Sequence, residues 1–517
     1  MHRHTLQISR LALTLALAAS PTLAADFVTC DTLTQETRFP QTRIRTSKDI
    51  PAGAGLPAYC EVQATISPNR KASIGVTYRL PRDWNGKFYG VGGGGFAGNL
   101  TVQGVATALA RGYATGSTDM GHPSANGLDT SFALDEPGKI NEDGITDFGH
   151  RATHLMTVVG KEIVKELYGR GIEKSYFEGC STGGRQGFAE MQRYPDDYDG
   201  IIAGAPVYNA LVYANALFRV QAFHAKPGSN LDPAHPALIN TAVMAACDAK
   251  DGVADGILTD PRQCKWNPAE LQCKAGEAAG PTCLTPMQVE TVTKVYSGLK
   301  AADGQWLAMP VMPGGEADWM DRSIGTAEMP RGRNAVLGAP FVSHLVKADP
   351  KYDLMSFDPA KGVGEIEASF AGQQVIQQNP DISPFLKRGG KLILWHGFND
   401  PGPSALSTIA YLEAVANATG GGATADEKFA DTQKKARLFL APGVLHCRGG
   451  AGPDRFDMLT ALENWAEKGV APEQVIATTA DSKLSRPLCP YPQVAKYKGA
   501  GDTNDATNFV CGKPEGP

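Results

Sequence analysis

The sequence predicts an α/β protein: a mostly parallel sheet covered by helices on both faces and interrupted by one long insertion. Three observations predict it. Between Cys60 and Pro206, short apolar runs suited to strands alternate with helix-like segments. The alternation stops over residues 207–380, where Pro and Gly are frequent and two cysteine pairs lie close together, and it resumes at 391. The turn Gly179-x-Ser181-x-Gly183 falls between a strand and a helix, at the carboxyl end of a strand where such folds place their sites.

Taken in order, residues 1–25 read as a secretory signal peptide. Arg3 and Arg10 precede the apolar run 11–19, and small residues follow at 20–25. That run is too short to span a bilayer, no cysteine marks a lipid anchor, and no other long apolar stretch follows. The mature chain is expected to be secreted or periplasmic, without a membrane partner. Strands are expected at 61–66, 73–80, 87–92, 113–118, 175–179 and 200–203. Residues 73–80 alternate apolar and polar, as an edge or antiparallel strand would, whereas the later runs are short and apolar, as buried parallel strands are. Leu155, Val159, Ile163 and Leu167 recur every four residues and mark an amphipathic helix. After the insertion come a strand at 391–396, a helix near 404–415, a strand at 436–441 and a helix near 455–467. Residues 26–206 and 381–517 therefore form one α/β domain, with 207–380 expected as a lid over the carboxyl ends of its strands.

Composition narrows the function classes. A chain of 517 residues has room for a large core and an inserted unit. A formal net charge of -5 gives no electrostatic reason to expect nucleic acid as a partner. Composition sets no oligomeric state. Ten cysteines suit an oxidising compartment. Proximity pairs Cys247 with Cys264, Cys273 with Cys283, Cys489 with Cys511 and Cys30 with Cys60. Cys180 and Cys447 are left over, and a bond between them would join two distant parts of the chain. Zinc ligation is the competing use, but no C-x-x-C pair and no His at ligand spacing accompanies these residues.

Gly179-x-Ser181-x-Gly183 has the context of a nucleophile elbow, in which a sharp strand-to-helix turn exposes a strained serine. In the α/β-hydrolase fold the partners follow as Asp or Glu, then His. His224, His235 and His344 fall in the insertion. His396 ends a strand and reads as structural or pocket-lining. His446 follows the strand 436–441 and is the one histidine after Asp400. Asp400 closes the strand segment 391–400, and its competing reading is an N-cap with Pro401 near N1. In these roles His446 would take the Ser181 proton and Asp400 would hold the imidazole. The Thr182 N–H would supply one oxyanion donor, and the glycine run 92–95 a second unless it is only a flexible turn. Cys180 and Cys447 flank the serine and the histidine, so their bond would clamp the two elements. A Cys180 nucleophile is the rival, and it leaves Ser181 and Cys447 unexplained.

Cys180-Ser181, Asp400 and His446-Cys447 together resemble the tannase and feruloyl esterase family position for position. Trp84-Asn-Gly86, Thr118-Asp119, Gly121-His122, and the stretches 198–206, 455–460 and 486–493 extend the likeness over nearly the whole mature chain. The resemblance implies Gly95 and Thr182 as oxyanion donors, and it agrees with all five cysteine pairs. It also implies a structural Ca²⁺ in the lid. Asp248, Asp251 and Asp255 with the carbonyls of Val253 and Ile257 offer oxygen ligands, although the spacing is not that of an EF-hand and helix capping or Asx-turns would use the same residues. No organic cofactor is implied. The implied substrate is a small ester of an aromatic acid: a hydroxycinnamate such as ferulate first, then gallate or terephthalate. Arg331, Arg333, Lys347 and Phe341 receive no assigned role in binding it. A peptidase shares the triad chemistry, and a calcium-stabilised secreted binding protein is the non-enzyme alternative, disfavoured because all three triad residues are present.

Overall fold

The structure is a computed structural model describing Met1 and residues 29–35, 39–100 and 104–514. Apart from Met1, the expected signal peptide lies outside the described residues. Nine strands form one sheet: β1 (Thr42–Ile50), β2 (Tyr59–Ile66), β3 (Ile74–Pro81), β4 (Lys87–Val91), β5 (Ala114–Thr118), β6 (Lys174–Cys180), β7 (Gly200–Gly204), β8 (Lys391–Gly397) and β9 (Ala436–Ala441). Their order is β1-β2-β3-β5-β4-β6-β7-β8-β9. The pairs β1/β2, β2/β3 and β3/β5 are antiparallel. From β5 onward every pair is parallel.

The parallel strands are apolar along their length because both faces are covered. Successive residues of a strand point to opposite sides. On β6, β7 and β8, Phe177, Ile201, Leu392 and Leu394 enter one core. Their neighbours Tyr176, Ile202, Ile393 and Trp395 enter another. The first core is closed by α1 (Ala152–Tyr168), α2 (Thr182–Arg193) and α6 (Ala405–Thr419), through Met156, Phe188 and Leu412. The second is closed by α7 (Met458–Lys468), through Leu459, Leu462 and Trp465. The α/β-hydrolase prediction stands, with local corrections. The strand at 73–80 is antiparallel but lies third from the edge, because the unforeseen β1 holds the edge. β1 reads Thr-Arg-Ile-Arg-Thr-Ser-Lys-Asp-Ile and is half-exposed, so it carries no apolar pattern. The last predicted helix starts at Met458 rather than 455, since Arg455–Phe456 pair with a short strand.

Residues 205–390 add no strand to this sheet. They carry α3 (Ala210–His224), α4 (His235–Cys247) and α5 (Pro286–Ser297) among shorter helical turns. The insertion packs a core of its own around Phe223, Ile239, Val243, Leu284, Val292 and Trp319. A further cluster joins Tyr213, Leu217 and Phe341 of the insertion to Phe96 and Met120, which follow β4 and β5. The insertion thus rests against loops at the carboxyl ends of the strands. All ten cysteines are paired as expected. Among the described residues no helix is long and apolar enough to cross a membrane.

Candidate active site

Ser181 stands between β6 and α2 with φ 64° and ψ −120°, a conformation most side chains avoid. The strain is held by hydrogen bonds on both sides. The Ser181 N–H donates to Gly204 O at 2.9 Å, and the Ser181 carbonyl accepts from Arg185 N at 3.1 Å. The turn needs glycine where backbones meet. A Cβ on Gly179 would lie 2.5 Å from the Gly183 carbonyl carbon, and one on Gly92 would lie 2.6 Å from Gly183 Cα. The glycine run after β4 therefore lies directly against the elbow.

The three predicted partners meet. His446 Nε2 is 2.9 Å from Ser181 Oγ, and His446 Nδ1 is 2.6 Å from Asp400 Oδ2. Asp400 sits past the end of β8, and its Oδ1 accepts Gly402 N–H at 2.7 Å. It does not cap α6, whose N-cap is Ser404. Burial alone would raise the Asp400 carboxyl. The charge of His446 and the hydrogen bonds from His396 and His446 overcome burial and hold it well below the usual carboxylate range. Oδ2 can thus serve as a fixed anion beside the imidazole.

Thr182 is the first residue of α2, so its N–H belongs to the unsatisfied first turn, where the helix dipole favours negative charge. Its hydroxyl donates to Gly95 O at 2.5 Å and ties the two proposed oxyanion residues together. Gly95 has φ 58°, and a Cβ there would lie 2.5 Å from Gly127 O. The Cys180–Cys447 disulfide spans a Cα separation of 6.1 Å and joins the residue before Ser181 to the residue after His446. Since Cys180 is bonded, the rival thiol nucleophile is removed.

His396, read from the sequence as structural or pocket-lining, has a structural role, and two further supports escaped the sequence. His396 Nε2 lies 3.2 Å from both Asp400 Oδ2 and Pro403 O, and Nδ1 lies 2.8 Å from Thr408 Oγ1. Both neighbours of Nε2 are acceptors, so that nitrogen carries the proton. Gln186 on α2 accepts Gly93 N–H at 2.8 Å and donates to Thr153 Oγ1 at 2.7 Å, holding the glycine run from behind. Arg219, fully buried on α3, donates to Pro401 O and Gly402 O. The alternating strand pattern placed His396 at a strand end, but only the return of the chain through Pro403 brings it onto Asp400.

The residues left without an assigned role now have places. Phe341 is fully buried and stacks on Tyr213 with centroids 3.5 Å apart. Arg333 pairs with Asp321 at 2.6 Å and Lys347 with Glu365 at 2.7 Å. Arg331 is exposed. Two other insertion residues, Arg322 and Leu337, come close to glycines of the site. A Cβ on Gly402 would lie 3.7 Å from Arg322 Nη1 and 4.0 Å from His446 Cγ, and one on Gly95 would lie 3.8 Å from Leu337 Cδ2.

In the expected calcium loop, each carboxylate takes local N–H groups. Asp248 accepts from Gly256 N, Asp251 from Val253 N and Thr259 N, and Asp255 from Ile257 N. Asp251 and Asp255 therefore form the Asx-turns expected as an alternative, whereas Asp248 reaches eight residues along the loop. Asp255 also binds Arg486. The oxygens of the three carboxylates do not all come within 4.8 Å of one another. The donor chemistry still suits a hard cation. Asp251, Val253, Asp255 and Ile257 line one small cavity of about 30 Å³. Burial, and then a neighbouring aspartate, push both the Asp251 and Asp255 carboxyls up, which a cation would relieve.

A serine, an aspartate and a histidine, presented in that order from the carboxyl ends of a parallel sheet, define a serine hydrolase of the α/β-hydrolase class. Comparison with known proteins narrows the class. The family described as tannase and feruloyl esterase matches residues 60–512. A probable feruloyl esterase of Arthroderma benhamiae is 35% identical, covering 88% of this chain and 86% of that protein. The mono(2-hydroxyethyl) terephthalate hydrolase of Piscinibacter sakaiensis is 34% identical, covering 90% and 86%. The crystal structure of feruloyl esterase B from Aspergillus oryzae superposes with a TM-score of 0.82 at 28% identity, covering 93% of this chain and 99% of that one. The chain belongs to the tannase and feruloyl esterase family and is a carboxylic ester hydrolase.

Proposed function

We propose that this protein is a secreted esterase acting on small esters of aromatic acids, feruloyl and related hydroxycinnamoyl esters first, through Ser181, His446 and Asp400. The observation that carries the reading is the unbroken Ser181–His446–Asp400 hydrogen-bond chain. His446 Nε2 takes the Ser181 proton as Oγ attacks the ester carbonyl carbon. The Gly95 and Thr182 N–H groups hold the resulting oxyanion, each such donor being worth about 3–4 kcal/mol. His446 then protonates the departing alcohol, leaving an acyl-serine. A water molecule, deprotonated by His446, attacks that acyl group and releases the acid. The aromatic preference rests on the relatives named above. Export rests on residues 1–25 together with five disulfides, which persist in oxidising compartments. A structural Ca²⁺ on the 248–257 loop completes the reading.

The test is product release from methyl ferulate, methyl gallate, mono(2-hydroxyethyl) terephthalate and an aliphatic ester, with wild type and Ser181→Ala. Methyl ferulate should give the highest kcat/KM, and Ser181→Ala should lower kcat by at least roughly 10³-fold. Fastest turnover of the aliphatic ester would sink the substrate assignment. Retained activity in Ser181→Ala would sink the mechanism.

A further inference from the structure

A second cluster of chemistry-bearing side chains lies behind the elbow, on the side of α2 away from Ser181. His154 comes from α1, Glu190 from the last turns of α2, and Asp197 from the turn leading to β7. One ligand atom from each falls within 4.8 Å of the other two. Glu190 is 1% exposed, and no N–H or O–H donor reaches either of its carboxylate oxygens, which instead face the Asp197 carboxyl. A buried carboxylate without a donor costs several kcal/mol, and native proteins rarely leave one so. The nearby Lys161 ammonium eases this cost by its charge but donates its hydrogen bonds to the Asp197 carbonyl and Ser175 Oγ, leaving Glu190 without one. The remaining geometry is that of a held ligand set. His154 Nδ1 lies 2.7 Å from Asp197 Oδ2, and its ring is fixed by stacking on Tyr194 at 3.8 Å and 7°.

We propose that His154, Glu190 and Asp197 bind a divalent transition ion of the zinc type, at a site separate from the lid loop. One imidazole nitrogen and two carboxylate oxygens are a zinc donor set, and three protein ligands leave one position for water. Two carboxylates balance the charge of one dication. The His154 side chain is 27% exposed, against 12% for Asp197, so the ion has an entry from its side. Glu190 lies nine residues beyond Ser181, about 13 Å along the helix. The ion therefore takes no part in ester cleavage. It fastens α1 to α2 and so steadies the helix that carries the nucleophile.

The test uses the full chain, stripped with a chelator and dialysed against micromolar zinc. Bound zinc per chain and Tm are measured for wild type, His154→Gln, Glu190→Gln and Asp251→Asn. Wild type and Asp251→Asn should each retain one zinc and melt several degrees higher with it. His154→Gln should bind at least roughly tenfold more weakly, and Glu190→Gln should lose the ion. Should Glu190→Gln fail to fold, His154→Gln decides, because that side chain is partly exposed. Three outcomes overturn the proposal. The first is wild type holding no more zinc than His154→Gln. The second is loss of the ion from Asp251→Asn, placing it in the lid loop. The third is Glu190→Gln melting above wild type with no zinc response anywhere, which means a proton shared between Glu190 and Asp197 satisfies the pair.

Discussion

At the scale of single residues, Asp400 is the most constrained group in the site. Its Oδ2 accepts from two histidines, His446 at 2.6 Å and His396 at 3.2 Å, while Oδ1 is held by Gly402 N–H. His396 touches neither Ser181 nor a substrate position, so it acts as a positioning residue through Asp400. Its N–H draws on the carboxylate that supports the His446 imidazolium, and it keeps that carboxylate from rotating. Replacing it with Leu leaves Pro403 O and Thr408 Oγ1 without their partner and gives Oδ2 wholly to His446. His396→Leu should lower kcat about tenfold and shift the acid limb of the kcat/KM profile up by about one pH unit, the scale of one charge-assisted hydrogen bond. His396→Gln, which keeps a donor, should recover most of both. A flat response of the pH profile to Leu would mean that His396 merely fills space.

Between elements, catalysis depends on holding three loop ends in register, and covalent and non-covalent ties share the task. The Cys180–Cys447 bond closes 267 residues of chain, joining the β6–α2 elbow to the loop after β9. Chain-entropy arguments put such a closure at roughly 5 kcal/mol, although measured gains are often smaller. In the double variant Cys180→Ser, Cys447→Ser the Ser181–His446 contact loses its tether, while Asp400 keeps its tie from Gly402 N–H and its loop keeps those from Arg219 to Pro401 O and Gly402 O. Stability should fall by about 2–5 kcal/mol in denaturant titrations, and kcat should fall about tenfold with a smaller change in KM. Unchanged kcat in a folded variant would show that hydrogen bonds alone align the pair. The elbow, its partners and this clamp were legible in the sequence because each depends on residues adjacent in the chain or on strand order. β1 was not legible, because a half-exposed edge strand of Thr, Arg, Ser, Lys and Asp has no apolar periodicity. Phe341 was legible only as an aromatic; its stack on Tyr213 needed the fold of the insertion. Gln186 and Arg219 were equally hidden, since a polar side chain on a helix gives no sign of which backbone group it will meet.

For the whole molecule, the question is what holds an insertion of nearly two hundred residues over the sheet it interrupts. One attachment is the apolar cluster that joins Phe341 and Tyr213 to Phe96 and Met120. Another is polar: Arg219 and Asn399 cross between the insertion and the Asp400 loop, Asn399 through Pro313 O and Gly443 N. The third is the 248–257 loop, stapled at its base by Cys247–Cys264 and bound through Asp255 to Arg486 of the C-terminal segment. Burial and a neighbouring aspartate push the Asp251 and Asp255 carboxyls up even with Arg486 beside Asp255, so a cation there would offset that cost and tie the insertion to the sheet domain. Binding only to the folded state stabilises by RT ln(1 + [L]/Kd), about 2.7 kcal/mol at a hundredfold excess over Kd. In a chain of 517 residues, with an unfolding entropy of about 2.1 cal/mol/K per residue, that is a Tm change of roughly 2–3 °C. EGTA should lower Tm by that amount, added Ca²⁺ should restore it, and Mg²⁺ should do so poorly, since it loses its waters reluctantly. Asp251→Asn should melt near the EGTA-treated wild type and show no calcium response. Identical melting of wild type with and without EGTA, in protein shown to contain no calcium at saturation, would leave the loop held by its Asx-turns and Arg486 alone.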